Sequence, residues 1–299
     1  MKNFHGWKKK NSYFEGWYLK HQQKKKMIAF IPVYHIDCYG KASASIQIIT
    51  ENKTWMVTYP AEEFQVAPDR FGVKIGDNLF TPKGIRIAIE EEGLLIKGKI
   101  CYKRFQPPTG DIMGPFKFLP RMQCNHGVLS LYHEISGVLW LNGEKLDFTS
   151  GKGYIEKDWG SSFPETYCWS QCNWGGRHPG CVMAAAAKIP FGKKAFQGCI
   201  AVVRQGGREY RFATYLGARV QSSDEKEIII KQGYYQLKIF HQSQRAYKLQ
   251  APERGEMSRV VSESPVTSVK YQLWKKNRII FEYRSRDAAF ESAATSPVS

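Results

Sequence analysis

The sequence predicts an all-β protein made of two barrel-like antiparallel halves. Three observations predict this. No stretch sustains a helical apolar period, while short apolar or alternating runs recur, punctuated by Gly, Pro and Asn. Aromatic residues reach 14% of the chain, a composition that suits strands and apolar ligand cavities. At 299 residues the chain can hold two domains, and the strand rhythm resumes after a Gly- and aromatic-rich span at its middle. The expected division is a first domain over 12–150 and a second over 151–290, with loose tails at 1–11 and 292–299.

In order along the chain, Tyr13 to Lys20 is aromatic and strand-like, and Met27 to Tyr34 is a short apolar run that reads as a buried strand. Short strands follow to Ile89, cut by Pro60, Pro68, Gly76 and Pro82. Over Leu95 to Tyr102, Ile96, Gly98, Ile100 and Tyr102 alternate with Lys97 and Lys99, so one face is apolar. Arg104 to Pro120 is rich in Pro and Gly and reads as a long irregular loop. Gly127 to Glu134 and Val138 to Leu141 are strands, and Asn142-Gly143 predicts a tight hairpin into Glu144 to Phe148. Beyond the central span, Cys181 to Ile189 reads as a strand despite four consecutive alanines. Gly206-Gly207 and Lys276-Asn277 mark further hairpins.

The net charge of +17 comes with lysine clusters at 8–10, 24–26, 193–194 and 275–276. Such a surface is drawn to phosphate. No zinc finger, helix-turn-helix or RNA-recognition pattern accompanies it, so no nucleic-acid partner is expected, and an anionic membrane surface is. The seven cysteines form no short-spaced disulfide framework, which fits reduced thiols. No signal-peptide h-region or membrane-length apolar run is present. The expected location is cytoplasmic, peripheral on the inner membrane face. No Gly-rich phosphate loop precedes a helix and no serine elbow is visible, so no cofactor is expected.

The central span, Ser150 to Gly175, sets Glu156, Lys157 and Asp158 between Tyr154 and Trp159. Charges among aromatic rings are costly to bury unless paired. On an extended backbone Glu156 and Asp158 project to one face, and two close carboxyls raise one pKa. The span is either a proton-donating site or a salt-bridged turn in which Lys157 or a nearby Arg satisfies the carboxylates. His126 and His133 are candidates to polarise or relay a proton. Cys124, His126, Cys168 and Cys172 match no standard zinc spacing, and no metal is expected.

The run Gly153-Tyr154-Ile155-Glu156-Lys157-Asp158-Trp159-Gly160, followed by Phe163-Pro164 and Trp169-Ser170-Gln171-Cys172-Asn173, resembles the tocopherol cyclase family. Tyr13-Phe14-Glu15-Gly16-Trp17-Tyr18 resembles its opening motif, and Leu249-Gln250-Ala251-Pro252 and Tyr271-Gln272-Leu273-Trp274 its C-terminal part. The resemblance implies two lipocalin-like β-barrels or half-barrels, a fold related to carotenoid hydratases. It implies an isomerase that closes a chromanol-type ring on a prenylated hydroquinone or related isoprenoid. Plant members commonly carry Asn where this chain has Asp158.

Such a reaction needs a proton delivered to an alkene, aromatic faces for a transient cation and a dry pocket. Glu156 matches the family's Glu and is the first candidate acid; Asp158 is the second. Glu15, Trp17, His126, His133, Tyr154, Trp159, Trp169, Gln171 and Asn173 are the candidate substrate-binding residues. The alternative is a lipocalin-like carrier that holds an apolar isoprenoid or lipid unchanged.

Overall fold

The computed structural model describes residues 4–119, 122–175, 179–191, 194–242 and 246–293. The first sheet contains β1 (Tyr13–Gln23), β2 (Lys26–Ile36), β3 (Ala42–Thr50), β4 (Thr54–Pro60), β5 (Phe64–Val66) and β6 (Val73–Ile75). It continues with β7 (Asn78–Thr81), β8 (Gly84–Glu91), β9 (Leu94–Tyr102), β10 (Cys124–Leu141), β11 (Glu144–Asp147) and β12 (Gly151–Gly160). The second sheet contains β13 (Tyr167–Trp174), β14 (Gly180–Phe191), β15 (Lys194–Gln205), β16 (Arg208–Ala213) and β17 (Arg219–Ser223). It continues with β18 (Glu227–Gln232), β19 (Tyr235–His241), β20 (Tyr247–Glu253), β21 (Glu256–Lys275) and β22 (Arg278–Ala293).

The all-β expectation holds, and both sheets are antiparallel and follow one plan. The first runs β4-β3-β2-β1-β12-β10-β9-β8-β7-β6-β5, with β11 on β10. The second runs β16-β15-β14-β13-β22-β21-β19-β18-β17, with β20 on β21. Each path ends on two strands consecutive in the chain, β4 and β5 or β16 and β17. Each sheet therefore curls back toward itself as a half-barrel.

Alternation drives the curl. In β8, Ile85, Ile87 and Ile89 are buried while Arg86 and Glu90 are exposed. Such strands keep one face wet and one dry. In the first sheet the dry residues gather into one cluster holding Ile46 and Ile48 of β3, Val57 of β4, Val73 of β6 and Ile100 of β9. Asn78 Nδ2 donates to the Tyr59 hydroxyl at 3.2 Å, tying β7 to β4 across the gap. The second sheet has its own core, which gathers Val182, Ala184 and Ala186 of β14 with Ile228 of β18 and Tyr271 of β21. Gln232 bridges β18 to β16, donating to Arg211 O and accepting from Ala213 N.

The compact units do not follow the expected boundary at residue 150. Unit one takes the described parts of Met1–Pro107, Cys124–Ser162 and Ala251–Arg259; unit two takes those of Pro108–Gln123, Phe163–Gln250 and Val260–Ser299. The reason is pairing: β12 hydrogen-bonds to β1 on one side and β10 on the other, so the Gly153–Gly160 run closes the first sheet rather than opening the second. From Pro108 on, the Pro- and Gly-rich loop belongs to the second unit, where Arg211 donates to the carbonyls of Thr109 and Asp111, and Tyr215 to that of Ile112.

The expected N-terminal tail is also different where it is described. Phe4 buries its ring against Tyr34 and Phe64, and Gly6–Lys8 forms a 3-10 turn. At the other end β22 includes Ser292 and Ala293. Residues 1–3 and 294–299, and Lys193 of the 193–194 cluster, lie outside the described residues.

Candidate functional site

The strand β12 is the axis of the site. Period-two alternation sends its residues to two faces. Ile155, Lys157 and Trp159 lie opposite Leu19, Trp17 and Glu15 of β1. Leu19, Trp17 and Ile155 belong to the first core, so this face looks inward. Tyr154, Glu156 and Asp158 project from the other face, and Asp158 lies opposite His126 of β10. One short run thus builds two polar clusters back to back.

The outward cluster centres on His126. Its Nδ1 is 2.8 Å from Asp158 Oδ1 and its Nε2 is 3.5 Å from Glu156 Oε2. Burial alone would lower the imidazole pKa, but Asp158 and Glu156 outweigh it and push the group up to about 9. His126 is therefore an imidazolium at neutral pH and donates Nδ1–H to Asp158. The Tyr154 hydroxyl donates to Glu156 Oε2. Glu156 and Tyr154 are both buried. Burial, and then the charges of Asp158 and Glu156, push the Cys124 thiol up, so it remains S–H beside Asp158. One donor atom each from His126, Glu156 and Asp158 lies within 4.8 Å of the others, a spacing that could hold a metal ion.

The inward cluster centres on Glu15, which is fully buried. Its carboxylate accepts from the His5 backbone N–H at 2.8 Å, from the Tyr13 hydroxyl and from the Lys157 ammonium. Burial opposes the charge, but the contacts with His5, Lys157 and Tyr13 hold the carboxyl below its usual value. Burial lowers the Lys157 pKa, with Glu15 opposing it. The ammonium also sits 5.1 Å from the Trp17 and Trp159 ring centres, a cation–π box. The His5 ring stacks on Trp159 at 4.5 Å.

Sequence reasoning placed Tyr154, Glu156, Asp158 and His126 in one site, and the structure brings them together. It also placed Glu15, Trp17 and Trp159 there, and these stand on the opposite face. Trp159 follows Asp158 in sequence yet points away from Glu156. The expected carboxyl pair is separated by an imidazolium. Lys157 pairs with Glu15 rather than with either neighbour. His133 lies elsewhere: its Nδ1 meets Ser130 Oγ at 3.0 Å and its ring packs against Tyr102 and Phe105. Trp169, Gln171 and Asn173 are buried on β13 in the second unit, on the strand face opposite the core residues Cys168, Cys172 and Trp174. His5 and Tyr13 are not among the expected site residues, and Lys157 is expected only as a partner of the neighbouring carboxylates. For Lys157 the signal was present, since strand alternation alone turns it away from Glu156.

A sequence model described as tocopherol cyclase-like matches residues 109–293, more than half of the chain. The chain belongs to the tocopherol cyclase-like family. A protein of Oryza sativa subsp. japonica named "Probable tocopherol cyclase, chloroplastic" is 30% identical over 118 residues, covering 38% of this chain and 24% of that protein. The match therefore spans about a quarter of that relative's length. The crystal structure of CghA with Sch210972 is similar with a TM-score of 0.57 at 11% identity, over 95% of this chain and 89% of that one. That of kievitone hydratase from Nectria haematococca gives 0.54 at 10% identity, over the same shares. At these identities the likeness shows the fold. Within this tocopherol cyclase-like chain, the family match contains the whole His126–Glu156–Asp158 cluster and stops short of Glu15 and Trp17.

Proposed function

We propose that the chain is a cofactor-free isomerase that closes a chromanol-type ring on a prenylated hydroquinone or related isoprenoid by acid catalysis. The observation that carries this reading is His126 set between two carboxylates, 2.8 Å from Asp158 and 3.5 Å from Glu156. In the proposed cycle the mobile proton passes from His126 to Glu156 and on to an alkene carbon of the substrate. The phenol oxygen captures the tertiary cation and gives up its own proton, which returns to the cluster. Product and substrate then have equal mass.

The residues divide the work. The expected acid is a carboxyl kept neutral by apolar surroundings; here the carboxyl stands beside a histidine that can supply its proton. Glu156 Oε2 accepts from the Tyr154 hydroxyl and lies 3.5 Å from His126 Nε2, which places it to take up and pass on the proton. Asp158 orients the imidazole and holds its charge. General acid catalysis of this kind contributes about 10²- to 10⁴-fold in rate. The substrate is a membrane-partitioning lipid, so the reading includes a cytoplasmic, peripheral location on the inner membrane face.

The test is to incubate the pure protein with prenylated hydroquinones and search by mass spectrometry for an isomer with a chromanol fragment. Glu156→Gln should slow turnover by at least about 100-fold, with His126→Gln comparable. Undiminished turnover in Glu156→Gln would refute the assignment. The same cluster, with Asp158 engaged by His126 and Glu156 by Tyr154, also suits a carrier. A lipid that co-purifies and is returned unchanged would favour that second reading.

A further inference from the structure

Outside the site, one end of the second sheet has a distinct chemistry. The turn between β18 and β19 and the turn between β21 and β22 lie side by side. Tyr235 is opposite Lys275, and the Lys276 N–H donates to Tyr234 O at 2.6 Å. Tyr234 is 72% exposed, Ile279 44% and Ile280 42%. Around these apolar side chains stand exposed cations: Lys275 opposite Arg278, Lys276 on the turn, and Arg219 opposite Lys231. The segments that form this end, 217–220, 230–237 and 273–281, contain no Asp or Glu; the next residue on β22, Glu282, lies opposite Gln272 and accepts from Gln272 and Arg284. The acids Asp224, Glu225 and Glu227 sit at the other end of β17 and β18.

We infer that this end is the surface by which the protein docks on an anionic lipid bilayer. The charge is complementary to anionic headgroups, and the apolar residues supply the second element that interfacial binding needs. Lys276 lies 5.4 Å from the Tyr234 ring and Lys275 5.6 Å from the Tyr235 ring. These contacts hold cations beside aromatic bodies suited to the boundary between headgroups and acyl chains. Exposed aliphatic side chains set the surface apart from a single-strand nucleic-acid groove, where aromatic faces stack on bases. The inference does not depend on the proposed reaction, because its readout is binding.

The experiment measures co-flotation of the full chain with phosphatidylcholine vesicles, with and without phosphatidylserine, over a salt series. Binding should require phosphatidylserine and weaken as salt rises. The triple variant Lys275→Gln/Lys276→Gln/Arg278→Gln should bind at least about tenfold more weakly. The double variant Ile279→Ser/Ile280→Ser should also weaken binding while keeping the salt response. A control with the same charge change on the first unit, Lys24→Gln/Lys25→Gln/Lys97→Gln, should stay within about twofold of the unchanged protein. Near-ultraviolet circular dichroism confirms that each variant is folded. Three results would overturn the inference: equal loss in the control, equal binding to phosphatidylcholine alone, or no binding to phosphatidylserine vesicles at low salt. Capture of a single-stranded RNA oligonucleotide with no lipid binding would assign the surface to nucleic acid instead.

Discussion

Replacing Lys157 by Met removes one half of a buried ion pair and leaves a carboxylate in the first core. Glu15 and Lys157 are 0% and 1% exposed, so neither can turn to water. Breaking such a pair costs about 3–5 kcal/mol, because the surviving charge stays desolvated. Glu15→Gln strands the ammonium, but the Trp17 and Trp159 faces return up to about 2 kcal/mol of it. That variant should therefore be the milder of the two. The double variant Glu15→Leu/Lys157→Met removes both charges, and apolar replacement of a buried pair is often neutral or stabilising. It should cost several kcal/mol less than the sum of the single changes. The assay is urea unfolding followed by tryptophan fluorescence, since two tryptophans flank the ammonium. A Lys157→Met cost below about 1 kcal/mol, the range of an exposed pair, would refute the reasoning. So would a double variant equal to the sum of its parts.

Two further outcomes follow from the buried groups. Burial pulls both His21 and His133 down to about 3 from an ordinary 6.5, so each folds neutral. Their contribution is full above pH 6.5 and is lost as pH falls toward 3, at up to about 1.4 kcal/mol per pH unit for each. His126 runs the other way: with its pKa raised to about 9, its contribution is full below 6.5 and fades as pH rises through 9. Unfolding measured across this range should show greatest stability near pH 6.5, and a flat acid limb would contradict the buried-histidine argument. Separately, Gly153→Ala should cost about 1–3 kcal/mol in chemical unfolding, because a Cβ there would lie 2.3 Å from His133 Nε2 and that ring is packed between Tyr102 and Phe105. A neutral Gly153→Ala would mean the ring can swing away.

Local chemistry was legible in the sequence and distant pairing was not. Asn142-Gly143 gave the β10–β11 hairpin, and both residues have positive φ, as a tight hairpin turn demands. The alternation of Ile96 and Ile100 with Lys97 and Lys99 gave the inner and outer faces of β9. What could not be read was that β12 lies beside β1, or that β13 lies beside β22, since those pairings join segments more than a hundred residues apart. The strand β21 was also missed over much of its length. Its stretch Ser262-Glu263-Ser264-Pro265 carries no apolar alternation, yet Glu263 is fully buried opposite Glu291. The contact between His5 and Glu15 was hidden for another reason: a short basic segment with few apolar residues looks unstructured until Phe4 finds a core to enter.

The two clusters on β12 bear different relations to function. The His126 cluster is assembled entirely from β10 and β12, inside the stretch that matches the family. The Glu15 cluster draws on β1 and the N-terminal segment, outside that stretch, and its charges are fully engaged with one another. Yet it is not separate from the first. Lys157 lies between Glu156 and Asp158 on the same backbone, so the ion pair that anchors Lys157 to Glu15 also fixes where its neighbours emerge on the other face. A proton donor must be held to within a fraction of an ångström. Under the proposed reaction, the inward ion pair is the support and His126, with its two carboxylates, is the group it presents.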